Sequence, residues 1–99
     1  MNNSRVFKKM VKYLLIASRG GPMRARIINV LIEMPRNPNQ LADLLKVDYK
    51  TITHHLGVLK KNNWVTGSED KYGVIFKSTF TNEEKEAFNE VWIEIGKKL

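Results

Sequence analysis

The stretch Leu41-Ala-Asp-Leu-Leu-Lys-Val-Asp-Tyr-Lys-Thr-Ile-Thr-His-His-Leu-Gly-Val-Leu-Lys-Lys-Asn-Asn-Trp-Val65 decides how this chain folds. Leu41, Ala42, Leu44 and Leu45 fit a short amphipathic helix, with Asn39 available as its N-cap. Asp48, another N-cap residue type, opens a longer helix over 49–62. Within it Ile52, His55, Leu56 and Leu59 fall at i, i+3, i+4 and i+7 and share one face. Lys50, Thr53, His54, Gly57 and Lys61 lie on the opposite face. An apolar back and a front of hydroxyls, imidazole and lysines suit a helix that enters a DNA major groove, braced by the short helix before it.

The same residues carry a family resemblance. The string resembles the helix-turn-helix of ArsR-like winged-helix transcription regulators, whose pattern reads roughly L-A-x-x-L-G-V-S-x-x-T-V-S-x-H-L-x-x-L-x-x-x-G-L-V. Leu41, Ala42, Leu45, Val47, Thr51, His55, Leu56, Leu59 and Val65 match it, and Asp48, Ile52, Thr53 and Trp64 are like-for-like replacements. Lys46 and Asn63 stand where the pattern has glycine. Asparagine tolerates the left-handed conformation that ends a helix, whereas lysine there carries a penalty of roughly 1 kcal/mol. The resemblance implies a winged helix-turn-helix with terminal helices that pair with their copies in a homodimer. Metal-sensing members use cysteines near the recognition helix or His/Asp sets on the last helix. This chain has no cysteine, and Glu83, Glu86, Glu90 and Glu94 have no histidine alongside, so no metal is expected.

Ninety-nine residues read as one domain, 1–99, large enough to bury about 65% of its unfolded surface without staples. The absence of cysteine excludes disulfides and thiolate metal sites. Arg5, Lys8 and Lys9 ahead of Tyr13-Leu-Leu-Ile-Ala-Ser18 superficially resemble a signal peptide, but Lys12 interrupts the run and the uncharged stretch is short. No segment reaches membrane-spanning length, so the chain reads as cytoplasmic. Its net charge of +7 is uneven. Residues 1–61 hold twelve Lys/Arg against three Asp/Glu, and residues 62–99 hold five against seven. A basic body with an acidic C-terminal helix suits phosphate contact by one region only.

Outward from the central stretch, the pattern predicts a helix over 5–18 with Val6, Met10, Leu14 and Ala17 on one stripe and Phe7, Val11 and Leu15 beside it. Gly20-Gly21 ends that helix and Pro22 begins the next, which presents Ile27, Ile28, Leu31 and Ile32 to the core as far as Met34. The helix-turn-helix occupies 39–63 and the hairpin, or wing, 64–79, with strands over 64–68 and 74–78. Thr81 and Glu84 form a capping box for a last helix striped with Phe88, Val91, Trp92, Ile95 and Leu99. The terminal segments 1–19 and 81–99 are surplus to a minimal winged helix. Their apolar stripes, Met10 and Leu14 on one and Phe88, Val91, Trp92 and Ile95 on the other, are therefore expected at a dimer interface.

His54 and His55 point about 100° apart on a helix, so they cannot chelate one metal together. His55 reads as a structural residue under the wing, and His54 as a base or phosphate contact. Gly20-Gly21 is not a phosphate loop, because no strand precedes it and no Gly-Lys-Ser/Thr follows. No nucleophile–base pair, paired carboxylates or cofactor motif is present, which points away from an enzyme. The expected protein is mainly α with a β-hairpin: a dimeric, sequence-specific DNA-binding regulator that reads a pseudo-palindrome. Lys50, Thr53 and His54 would face base edges, and Thr51, Lys60, Lys61, Arg24 and Arg26 phosphates. Lys71 and Tyr72 would reach the DNA from the wing. The rival expectation is a winged-helix adaptor that docks proteins and has only non-specific DNA affinity.

Overall fold

Apolar residues at steps of four wind the N-terminus into α1, Asn3–Lys12, which continues into a π-helical turn, Tyr13–Ala17. The computed structural model describes residues 3–71 and 73–98, the side chains of 3, 4, 70 and 95–98 excepted. Helix α2 spans Gly21–Glu33, α3 Pro38–Leu45 and α4 Tyr49–Lys61. Strands β1, Val65–Asp70, and β2, Gly73–Ser78, then precede α5, Asn82–Lys98. The fold is α+β, and no helix among the described residues is long and apolar enough to cross a membrane.

Local chemistry sets the boundaries. Asn37 caps α3, accepting from the Gln40 backbone at 2.8 Å while Gln40 Oε1 accepts from the Asn37 N–H at 2.8 Å. The cap is thus Asn37 rather than the expected Asn39, because Pro38 prefers the first helical position, where its missing N–H costs nothing. Asp48 Oδ1 accepts from the Thr51 N–H at 2.7 Å and opens α4. Both positions where the resemblance called for glycine are left-handed, Lys46 at φ 59° and Asn63 at φ 60°. Thr81 and Glu84 close the capping box of α5 at 3.1 and 2.9 Å.

The hairpin pairs Val65 with Ser78 through to Asp70 with Gly73, which takes φ 109° at the turn. The other side of β2 is paired as well. Arg36 N donates to Phe76 O at 3.0 Å and Phe76 N to Arg36 O at 2.9 Å. The Pro35–Pro38 segment therefore supplies a one-residue third strand that anchors the wing to the start of α3.

Ile27, Ile28 and Leu31 of α2, Leu41 and Leu45 of α3, and Ile52, Leu56 and Leu59 of α4 form the centre of the core. Here the terminal helices depart from expectation. Helix α5 lies against α1 within the same chain, joined by ion pairs Lys8–Glu90 and Lys12–Glu94. Phe88 and Val91, expected at a dimer interface, are 2% and 1% exposed in the core that also holds Phe7, Val11 and Leu15. The physical reason is an aromatic joint centred on Phe80, a residue the sequence did not single out. Phe80 stands edge-on to Phe7 at 5.0 Å and 89°, and to Trp64 at 5.7 Å and 72°. Phe88 follows at 6.1 Å and itself stacks on Trp92. Each such pair contributes about 0.5–1.5 kcal/mol beyond its burial. The joint therefore gives the two terminal helices a partner without a second chain.

Candidate nucleic-acid interface

Helix α4 is held by its apolar side. Ile52, His55, Leu56 and Leu59 are buried, while Lys50, His54, Gly57, Lys60 and Lys61 are exposed and Thr51 and Thr53 half-buried. The Thr53 hydroxyl donates back to the Lys50 carbonyl at 3.1 Å. Lys60 and Lys61 occupy the last turn of the helix, where the dipole favours cations. At the first turn, hydrogen bonding to Thr51 holds the Asp48 carboxyl below the usual carboxylate range, with Lys50 adding to it. Lys71 is exposed at the turn after β1. Tyr72 and the side chain of Ile95 lie outside the described residues.

Arg24 is the chief correction among the expected phosphate contacts. It is 4% exposed and buried against α4. Its Nη1 meets His55 Nδ1 at 3.1 Å, and its Nη2 donates to Ser18 Oγ and the Arg19 carbonyl, each at 2.8 Å, and to the Leu14 carbonyl at 3.4 Å. The Ser18 hydroxyl itself donates to the Leu14 carbonyl. Since a guanidinium has only donors, His55 Nδ1 is the acceptor and the imidazole is neutral. Burial pushes the His55 pKa down, and the charge of Arg24 and then His54 add to it. Burial also lowers that of Arg24. Arg24 falls at i−3, i−4 and i−7 from Ile27, Ile28 and Leu31, so the periodicity that marks the core face of α2 includes it. Arg26, two positions on and about 200° round the helix, is exposed.

The glycine pair beneath this contact has a packing role. Gly20 takes φ 79°, and a Cβ there would lie 2.8 Å from His55 Cε1 and 3.0 Å from Arg24 Nη1. A Cβ on Gly21 would stand 2.5 Å from the Leu15 carbonyl. The two glycines thus let the π-helical turn and α2 close over the arginine and histidine. His55 is structural as expected, but its hydrogen-bond partner comes from α2 and not from the wing.

Two helices joined through a left-handed Lys46, the second outward-facing and basic and followed by a hairpin, define a winged helix-turn-helix. Residues 21–66 match the family model described as bacterial regulatory protein, arsR family, so that segment is an ArsR-like helix-turn-helix. HlyU from Vibrio cholerae is similar in structure, with a TM-score of 0.67 and 17% identity over 96% of this chain and 97% of that one. The transcriptional regulator BldR from Sulfolobus solfataricus gives 0.68 and 20% over 97% of this chain and 70% of its own. The adhesin competence repressor AdcR from Streptococcus pyogenes gives 0.65 and 17% over 97% and 68%. No curated protein sequence is significantly similar to the chain.

Proposed function

We propose that the chain is a cytoplasmic transcription regulator without enzymatic activity that binds double-stranded DNA as a homodimer and reads a pseudo-palindromic site with α4. The observation that carries this reading is the division of α4 into a buried apolar side and an exposed side bearing Lys50, His54, Lys60 and Lys61. An exposed basic helix fixed by its back is the geometry of a recognition helix. Lys50, Thr53 and His54 face base edges, Thr51, Lys60, Lys61 and Arg26 hold phosphates, and Lys71 reaches the neighbouring backbone from the wing. The match of 21–66 to the arsR-family model supports the same assignment.

The homodimer rests on the surface that the packing of α5 leaves over. Val6, Met10, Tyr13 and Ile16 are exposed along α1 and its π-helical turn, with Tyr13 at 70%. Val6, Met10 and Tyr13 fall at i, i+4 and i+7, an apolar stripe on the side of the helix away from the Lys8 and Lys12 ion pairs. A shallow groove of about 260 Å³ lies beside it, lined by Lys9, Met10, Tyr13, Leu14, Asn62 and Trp64. One wall is α1 with its π-helical turn and the other is Asn62 and Trp64, just past the end of α4, so a second copy seated there lies beside the end of the recognition helix. Met10 and Leu14, with Trp92 on α5, remain the interface candidates, while the burial of Phe88 and Val91 in the core takes them out of it.

Fluorescence anisotropy of labelled duplexes between 50 and 200 mM salt tests the binding. A protein that neutralises several phosphates loses affinity log-linearly with salt and retains preference among duplexes. Uniformly weak binding with no preference would favour a protein-docking role instead.

A further inference from the structure

Gly57 sits in the interior of α4 and is exposed. Gly20, Gly21, Gly67 and Gly73 each have a reason within the chain. Gly20 and Gly73 have positive φ, and a Cβ on Gly21 or Gly67 would meet neighbouring atoms at 2.5 and 2.8 Å. Gly57 has neither, because its backbone is ordinary right-handed helix and a Cβ built on it finds no atom within 4 Å. A glycine in a helix interior is destabilising relative to alanine, and nothing in the fold offsets that cost.

Its place on the helix is what gives it meaning. Lys50, His54, Gly57 and Lys61 follow at i, i+4, i+7 and i+11, which puts them within a sector of about 60°. Gly57 is therefore a gap in the middle of the exposed ridge, with long polar side chains above and below it. We propose that Gly57 sets how deeply α4 sits in the major groove: the missing Cβ lets the helix backbone approach the base edges, so that Lys50 and His54 reach them at hydrogen-bonding distance. This rests on the reading that α4 enters the groove. A Cβ projects about 1.5 Å, and a hydrogen bond near 2.9 Å is lost if it lengthens by even half of that. Long lysines on phosphates adapt to such a shift, whereas contacts to base edges do not.

The test measures stability and binding in the same variants. Gly57→Ala is expected to raise Tm by about 2–8 °C, as relief of a helix-interior glycine requires. It is also expected to weaken binding to the preferred duplex about fivefold or more, the size of a lost base contact. Gly57→Leu should weaken it further, and both should affect a scrambled duplex less. Variants that melt higher yet bind the preferred duplex as the wild type does would overturn the proposal, leaving the DNA-binding reading intact. A wild-type protein that prefers no duplex would overturn that reading, and with it the role of Gly57.

Discussion

Arg24 Nη1 and His55 Nδ1 meet at 3.1 Å and tie the recognition helix to the turn that closes α1. One guanidinium serves the imidazole, the Ser18 hydroxyl and two backbone carbonyls, over a glycine whose missing side chain makes the room. The orientation of α4 therefore depends on a buried polar contact as well as on the apolar core. Partly satisfied networks of this kind are costly, because each abandoned group keeps its desolvation penalty.

Arg24→Met is accordingly expected to act on stability. It strands the buried His55 Nδ1, at about 1–3 kcal/mol for a buried group left unpaired, while the Ser18 hydroxyl keeps its bond to the Leu14 carbonyl. Urea unfolding at pH 7 measures the loss. If Arg24 instead held a phosphate, the variant would unfold as the wild type does and the salt dependence of DNA binding would become shallower.

The same contact makes stability sensitive to mild acid. His55 has a lower pKa folded than unfolded, so between the folded value and about 6.5 the unfolded chain binds more protons. The stability contributed by neutral His55 is thus complete above pH about 6.5 and declines as pH falls below it. Urea midpoints at pH 7.5 and 5.5 should show this decline in the wild type. The decline should be smaller in His55→Gln, which can still accept from Arg24 but does not titrate. Equal declines in both proteins would assign the effect to other groups.

Two classes of surface variant should separate. Lys50→Ala and His54→Ala are expected to relax base preference at defined positions by about 1–3 kcal/mol per lost contact. Lys60→Ala and Lys71→Ala should weaken binding to all sequences alike and lower the salt slope by about one unit. Titrations of matched and single-mismatch duplexes distinguish them, and identical behaviour in both classes would contradict the proposed orientation of α4.

The terminal helices offer a further contrast. Tyr13→Glu, on the exposed stripe of α1, should give folded monomers in sedimentation at micromolar concentration and a loss of DNA affinity, since two linked half-sites become one. Phe88→Ala lies in the core and should cost about 3–5 kcal/mol of stability. A Tyr13→Glu protein that sediments as the wild type does would remove this face from the interface.

The helix-turn-helix was legible because its periodicity and caps are local. Asp48, Thr81 with Glu84, and the left-handed Lys46 and Asn63 all act within a few residues of themselves. What the sequence concealed is non-local. Arg36 pairs with Phe76 across forty positions, and Phe80 joins Phe7, Trp64 and Phe88. The apolar stripe of α5 could equally have met a second chain or α1, and only the packing decides between them. Arg24 was misread because charge suggested solvent, although its register with Ile27, Ile28 and Leu31 pointed inward. For the proposed recognition surface, sequence and fold agree on Lys50, His54, Gly57 and Lys61, whereas Thr53 is half-buried with its hydroxyl on the Lys50 carbonyl. What these residues contact depends on a partner outside the chain.

Selection of preferred sites from a random duplex library at physiological salt bears most directly on the proposed function. The expected product is an inverted repeat with half-sites about 10–10.5 base pairs apart, centre to centre, whose enrichment is lost in Lys50→Ala. A library that emerges with no enriched motif would contradict sequence-specific regulation, and a single unrepeated half-site would contradict the dimer.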